Sequence, residues 1–393
     1  MKIDTNESKT INVGLFIDTF YPMVDGVITV VNNYAKLFGK NNINVTVFAP
    51  RVSKTYDYSK IPYNLKLCKI ASIKFFDYVV PTPNRDKDFK KAIDDAHLDI
   101  IHLHSPFYVG KMALKYAKKH NIPTVITMHS QFKKDFYRAT KSKLLTSILL
   151  KNIIKVFNSC DQAWAVNNKI AEVFKSYGYN KEPEVTLNGT DFLPVKNIKE
   201  ACAEVNQKYN LQDDDNVLLF VGRITILKNI LFIADSLKIL KDDGYNFKML
   251  FVGDGSDEEL LRKRIKEHGL ENNVIMCGKI TDRDLLAKIY CRAKLFLFPS
   301  TYDASSLVQI EAASQSTPTI FLEGSVTAGL VTNDVNGFTV ANNIDSFAKK
   351  IEEILNNDKY YNKVALGAKN DLYRTWDQIV EDIANKYRNI LKK

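Results

Sequence analysis

No run of 18 or more apolar residues occurs anywhere in the chain, and the stretch from Met1 to Thr10 is polar. Neither a membrane-spanning helix nor a secretory signal is therefore expected. Cysteine is sparse: Cys68, Cys160, Cys202, Cys277 and Cys291 are scattered and form no Cys-x-x-Cys pair. Such spacing argues for reduced core thiols and against a metal site or a disulfide framework. No complete Gly-x-Gly-x-x-Gly is present, which counts against a dinucleotide dehydrogenase. A Walker A lysine motif, a Gly-x-Ser-x-Gly elbow and a His/Glu zinc signature are missing too. Acid is nearly absent from one region, since residues 101–160 hold 11 Lys/Arg and a single acid, Asp135.

What is present describes a soluble two-domain protein of the cytoplasm. At 393 residues the chain is longer than one hydrophobic core usually grows, and 45% apolar with 25% charged residues is ordinary for a globular protein. Its net charge of +10 is uneven: residues 1–190 carry 28 Lys/Arg against 16 Asp/Glu, and the remainder 27 against 29. That asymmetry points to an anionic partner for the first half, either a membrane surface or a phosphorylated substrate; a merely solvated lysine-rich surface is the plain alternative. Nucleic acid is not expected, because the basic stretch lacks interleaved aromatic platforms.

Strands alternate with helical segments in two rounds. Ile11–Ile17, Asn44–Pro50, Asp99–His104, Thr124–His129 and Gln162–Val166 read as the strands of the first round. Asn216–Gly222, Phe247–Gly253, Val274–Met276, Leu295–Phe298 and Thr319–Phe321 supply the second. The α/β pattern predicts two doubly wound parallel sheets: a first domain over 1–192, a second over 193–374, and a last amphipathic helix over 375–393 packing back on the first.

Chemistry concentrates in the second half. Asp303 and Glu311 bracket a seven-residue gap, one acid in the loop after the Leu295–Phe298 strand and the other on the helix that follows. Ligands of open α/β sheets bind at strand carboxyl ends, and a helix N-terminus there favours phosphate. An N-capping Asp with a surface Glu would give the same spacing. Gly222-Arg223 and Lys228-Asn229 place two cations at a strand-to-helix junction, where a guanidinium fork and an ammonium can serve one diphosphate.

In order, Pro22-Met23-Val24-Asp25-Gly26, Asn188-Gly189, Gly222-Arg223 with Lys228-Asn229, Gly253-Asp254-Gly255 and the acid-x7-acid block resemble the retaining glycosyltransferases of family 4 over essentially the whole chain. The resemblance implies the GT-B architecture, two Rossmann-like domains around a cleft. It implies that Arg223 and Lys228 hold the donor diphosphate, Glu311 the ribose hydroxyls and Asp303 the hydroxyls of the donor sugar. By the same resemblance backbone amides at Ser306 and Leu307 face the phosphate, Gly222, Gly253 and Ser305 are substrate-binding, Met276-Cys277 lines the base, and Gly26 lets its loop approach the donor. His104, and beside it His129, would face the reacting sugar. No metal and no further cofactor is implied beyond the nucleotide-sugar donor, UDP-glucose being expected. The chain departs from the family in having Asp where Glu is usual at 303, Ser where Gly is usual at 306, and Glu323-Gly324-Ser325-Val326-Thr327 where a Gly-rich stretch is usual after the next strand.

The resemblance is strongest to bacterial enzymes that glucosylate diacylglycerol and related lipids, through Leu15–Pro22, His104–Phe107 and Thr127–Phe132. Independently, residues 141–158 combine Lys141, Lys143, Lys151 and Lys155 with Leu144, Leu145, Ile148, Leu149 and Ile153. A basic amphipathic helix of this kind suits an anionic leaflet, so peripheral attachment to the inner face of the plasma membrane is expected. A soluble, protein or polyprenyl-linked glycan acceptor, and a non-catalytic partner subunit that binds sugar nucleotides, stay open.

Overall fold

The structure, a computed structural model, describes residues 10–23, 25–75 and 78–392. Val24, in the loop from Pro22 to Gly26, lies outside the described residues. The chain divides into two compact units, Met1–Asn188 with Trp376–Lys393, and Gly189–Thr375.

Unit 1 contains β1 (Ile11–Phe16), β2 (Ile43–Pro50), β3 (Asn64–Cys68), the small antiparallel pair β4 (Ile70–Phe75) and β5 (Tyr78–Pro81), then β6 (Ile100–Leu103), β7 (Thr124–Met128), β8 (Gln162–Ala165) and β9 (Glu184–Val185). Its main sheet runs β3-β2-β1-β6-β7-β8-β9, parallel throughout. Unit 2 contains β10 (Val217–Val221), β11 (Lys248–Val252), β12 (Val274–Gly278), β13 (Leu295–Leu297), β14 (Thr319–Leu322) and β15 (Phe338–Val340) in the order β12-β11-β10-β13-β14-β15, again parallel. Central strands β10 and β13 are continuous apolar runs because helices cover both faces of a parallel sheet.

In each sheet the strand order reverses once, between β1 and β6 in unit 1 and between β10 and β13 in unit 2. Loops leaving two such strands part to opposite faces, and the gap between their carboxyl ends is where an open α/β sheet takes its ligand. These two switch points position everything that follows.

The boundary between units falls before the one read from the sequence. Thr190 N donates to Arg374 O at 2.9 Å, and Phe192 is buried in the core of unit 2, so Gly189–Phe192 belong to the second unit. The basic segment read as a helix over 141–158 is the helix Lys143–Ser159, and a separate helix, Phe132–Thr140, precedes it. Lys141, at φ 51°, breaks the chain between Phe132–Thr140 and Lys143–Ser159, and Ser142 caps the second helix by accepting from Leu145 N at 3.3 Å.

The last helix, Trp376–Leu391, belongs to unit 1. Tyr387 stacks on Trp164 at 5.6 Å, and its hydroxyl lies 2.6 Å from His102 Nδ1 inside β6. Lys386 bonds Thr186 Oγ1 at 2.9 Å and Glu184 at 2.7 Å, while Arg388 reaches Asn41 O at 2.7 Å. Both of the chain's tryptophans, Trp164 and Trp376, lie in this unit, so tryptophan fluorescence follows its unfolding. Tyr387→Ala opens a cavity under Trp164 and strands His102; it is expected to lower the stability read by that fluorescence by about 3–5 kcal/mol. An unchanged urea midpoint would show that the helix adds nothing to the unit.

Candidate active site

At the switch point of unit 2, the loop after β10 turns through Thr225 into a short 3-10 turn, Ile226–Lys228. Asn229, at φ 61°, then starts the helix Ile230–Asp242; asparagine tolerates this left-handed conformation better than most residues. Asn229 Nδ2 also donates to Pro299 O at 3.2 Å, tying this loop to the one after β13. Lys228 Nζ pairs with Asp303 Oδ1, and its ammonium lies 5.6 Å from the centre of the Phe298 ring. The other oxygen of Asp303 accepts from Ser300 Oγ at 2.6 Å. Thr327 Oγ1, from the loop after β14, donates to Ser300 O at 3.1 Å. Ser300 and Thr327 are buried, and neither was singled out as a site residue from the sequence.

The two cations expected to share a diphosphate therefore differ in what holds them. Lys228 is committed to Asp303, whereas Arg223 is exposed and makes no ion pair among the described residues. Beyond Asp303, the helix Leu307–Ser314 begins with Ser306 as its cap, and no side chain caps its first amides. The Ser306 hydroxyl is buried and has no hydrogen-bond partner. Ser305 precedes it, half-buried, in the same loop.

Gly253 is explained by its backbone contact with Gly222. Gly222 N donates to Val252 O at 3.0 Å, and a Cβ on Gly253, at φ 140°, would stand 1.9 Å from Gly222 O. The two loops lie backbone against backbone, which only glycine permits. Met276 and Cys277 are on β12, the outer strand, and project from opposite faces. Burial pushes the Cys277 thiol up to about 12 with the Tyr209 hydroxyl beside it.

Glu311 is buried, and each of its oxygens is already in use. Arg283 Nη1 donates to Oε1 at 3.1 Å, and Tyr290 Oη donates to Oε2 at 3.1 Å. Burial raises its pKa while Arg283 opposes the rise. Arg283 and Tyr290 were not found from the sequence, since their seven-residue spacing on one helix carries no signal by itself.

At the switch point of unit 1, Asp18 follows β1 and accepts from Phe107 N at 3.2 Å, Val109 N at 2.7 Å and Gly110 N at 3.4 Å. It thus caps the helix Tyr108–His120 from a neighbouring loop and fixes the segment His104–Phe107. Burial pushes the Asp18 carboxyl up to about 6, with these N–H donors pulling the other way. Gly110 is required here because a Cβ would stand 2.0 Å from Ser105 O. His104 and His129, at the ends of β6 and β7, meet at 3.0 Å through Nδ1 and Nε2. The Nε2 of His104 is buried with no partner. His102 stacks 4.1 Å from His104 and bonds Thr127 Oγ1 at 2.7 Å. Gly26 opens the helix Gly26–Leu37 with nothing within 4 Å of where a Cβ would be, and Asp25 caps that helix through Val27 N.

Burial, with the neighbouring imidazoles adding to it, holds His102 and His104 well below the usual range, and burial lowers His129 to about 3. The three rings are therefore neutral near pH 7. In the unfolded chain His129 takes up a proton near 6.5, which the folded state refuses. Its contribution to stability is accordingly whole above pH 6.5 and fades as pH falls towards 3, by about 1.4 kcal/mol per pH unit. The stability margin of the wild type over His129→Asn is expected to be flat above pH 6.5 and to shrink below it. A margin unchanged down to pH 4.5 in denaturant titrations would refute the assignment.

With this geometry in place, known proteins can be set beside it. Residues 24–192 match the domain described as Glycosyltransferase Family 4, and residues 203–371 the domain described as Glycosyl transferases group 1. The alpha-monoglucosyldiacylglycerol synthase of Streptococcus pneumoniae is 25% identical over 78% of this chain and 70% of its own length. The protein of the same name from Acholeplasma laidlawii is 25% identical over 83% of each chain. The crystal structure of Anabaena HepE in complex with UDP superposes with a TM-score of 0.76 at 16% identity, covering 96% of this chain and 100% of that one. Matched in order through both halves, the chain belongs to the family 4 glycosyltransferases and has their GT-B fold.

Proposed function

We propose that the protein transfers a hexose, with retention, from a nucleotide diphosphate sugar to a membrane lipid such as diacylglycerol, with UDP-glucose as donor. The observation that carries this reading is the arrangement at the second switch point. There Arg223 is an uncommitted cation, Lys228 is held against Asp303, and a helix begins with uncapped amides beside a buried, unpartnered hydroxyl. Cleavage of the bond between the anomeric carbon and the diphosphate builds negative charge on the departing β-phosphate. Arg223, Lys228 and the amides at Ser306 and Leu307 stabilise that charge, and such stabilisation is the chief source of acceleration in a reaction of this kind. A donor sugar hydroxyl takes the place of Lys228 on Asp303, which frees the ammonium for the phosphate. The departing phosphate accepts the acceptor's proton on the same face, so no side-chain base is needed. His104 and His129, neutral at working pH, bond hexose hydroxyls without adding charge. The cations take the part a divalent metal would otherwise play.

Similarity to the two alpha-monoglucosyldiacylglycerol synthases supports a lipid acceptor and a glucosyl donor, and the surface of unit 1 supports it independently. In the helix Lys143–Ser159 the second half is core, with Leu150, Ile153, Ile154 and Phe157 buried. Ile153, expected on the membrane face, thus lies inside. The first half exposes Leu144 at 71%, Leu145 at 49% and Ile148 at 46%. Lys141, Lys143, Lys151 and Lys155 are exposed around them. Three apolar side chains ringed by lysines match an anionic leaflet, each lysine adding about 1 kcal/mol near the surface. Among the described residues no helix is long and apolar enough to cross a membrane, so attachment on this reading is peripheral.

Two assays test the reading. With UDP-glucose and diacylglycerol in anionic vesicles, the wild type is expected to turn over in excess chelator, and Lys228→Ala to lose about a hundredfold in rate. Full activity of that variant would remove Lys228 from the chemistry, and a strict need for added Mg²⁺ would overturn metal independence. Replacing Leu144, Leu145 and Ile148 together by Asp should abolish flotation with phosphatidylglycerol vesicles at low salt. Unimpaired flotation would take the membrane face away from this helix.

A further inference from the structure

The helix Arg283–Arg292 presents Arg283 and Tyr290 seven residues apart, two turns along one face, and both donate to Glu311. Each carboxylate oxygen thus receives one bond from the protein and keeps a second lone pair directed elsewhere. Arg283 is itself held on two further sides. Its Nε donates to Asp191 Oδ2 at 3.3 Å and its Nη2 to Asp191 Oδ1, while the guanidinium carbon lies 3.8 Å from the centre of the Phe192 ring. Phe192 packs edge-on against Tyr290 at 5.9 Å, which closes the cluster. A long, half-exposed arginine is seldom fixed by an acid, a ring and a second acid at once, and one of those acids is buried.

We propose that Arg283 is a positioning residue for the nucleotide donor: with Tyr290 it turns the Glu311 carboxylate so that the remaining lone pairs meet the two ribose hydroxyls. This rests on the reading of Glu311 as the ribose-binding acid. Arg283 does not touch the donor. It acts by denying the carboxylate any other rotamer and by supplying the counter-charge that lets an acid persist in a buried place. Asp191 and Phe192, the first residues of unit 2 to reach this cluster, hold Arg283 in turn.

The role predicts a loss of discrimination, not only of affinity. Binding of UDP or GDP, whichever the wild type takes, is compared with binding of its 2′-deoxy counterpart by calorimetry. The wild type is expected to prefer the ribonucleotide at least tenfold. Arg283→Met should cut that preference to about twofold, raise KM for the donor about tenfold and lower kcat by less than threefold. Arg283→Lys, which keeps the charge and loses the fork, should recover part of the preference, and Asp191→Asn should lose part of it. Undiminished ribose preference in Arg283→Met alongside a lost preference in Glu311→Gln would overturn the positioning role alone. An undiminished preference in Glu311→Gln, or no binding of either nucleotide by the wild type, would overturn the ribose reading and this proposal with it.

Discussion

The ion pair between Lys228 and Asp303 is the contact on which the second switch point depends. Asp303 gives one oxygen to the loop after β10 and the other to Ser300 of its own loop, and Ser300 is gripped in turn by Thr327 from the loop after β14. One carboxylate therefore ties together three loops that the strand order would otherwise let separate. Side chains 11% and 19% exposed place the pair where water screens it weakly. Removing either partner leaves a partly desolvated charge, which costs more than the lost attraction. Since the two charges cancel, the local field is set by what is left: the Arg223 guanidinium and the positive end of the helix Leu307–Ser314.

Unit 1 solves the same topological problem with a carboxylate as well, yet arrives at the opposite electrostatics. Asp18 joins the loops after β1 and β6 by accepting from backbone amides, not from a cation. The side chains it helps to place are imidazoles packed too closely and too deeply to hold protons near neutrality. On the proposed reading, a cationic patch serves a leaving phosphate and an uncharged, hydrogen-bonding one serves sugar hydroxyls. On that reading, one fold repeated along one chain supplies both surfaces through residues that follow β1, β6, β7, β10 and β13.

How much of this was legible in the sequence follows from where each signal resides. Buried parallel strands such as Leu218–Val221 and Leu295–Phe298 announce themselves, because both faces are covered and every position is apolar. Residues just after them, His104, Arg223, Lys228 and Asp303, could be singled out for the same reason. The outer strands β3, β9 and β15 were missed, being short or mixed in polarity, so that pairing alone makes them strands. The helix read over 141–158 starts two residues later, because Lys141 takes a left-handed turn and Ser142 is the cap ahead of the helix. Arg283 and His102 were beyond reach. Their partners lie 28 and 285 residues away in the chain, and only the packed structure brings them together.

Two of the departures from the family pattern, Asp303 and Ser306, fall in one loop. On the proposed reading, the shorter acid, whose carboxylate accepts from Ser300 beside the Lys228 ammonium, requires a bound sugar to sit closer or to be a different sugar. Where the family's glycine leaves space, Ser306 adds a hydroxyl that is buried and unpartnered in this state. An orphaned buried hydroxyl costs about 1–3 kcal/mol, a cost that a donor oxygen placed beside it would recover. The loop thus gives up reach on the acid and gains a polar contact three residues later. On the proposed reading, selectivity among hexoses depends on how this loop spaces Asp303 and Ser306.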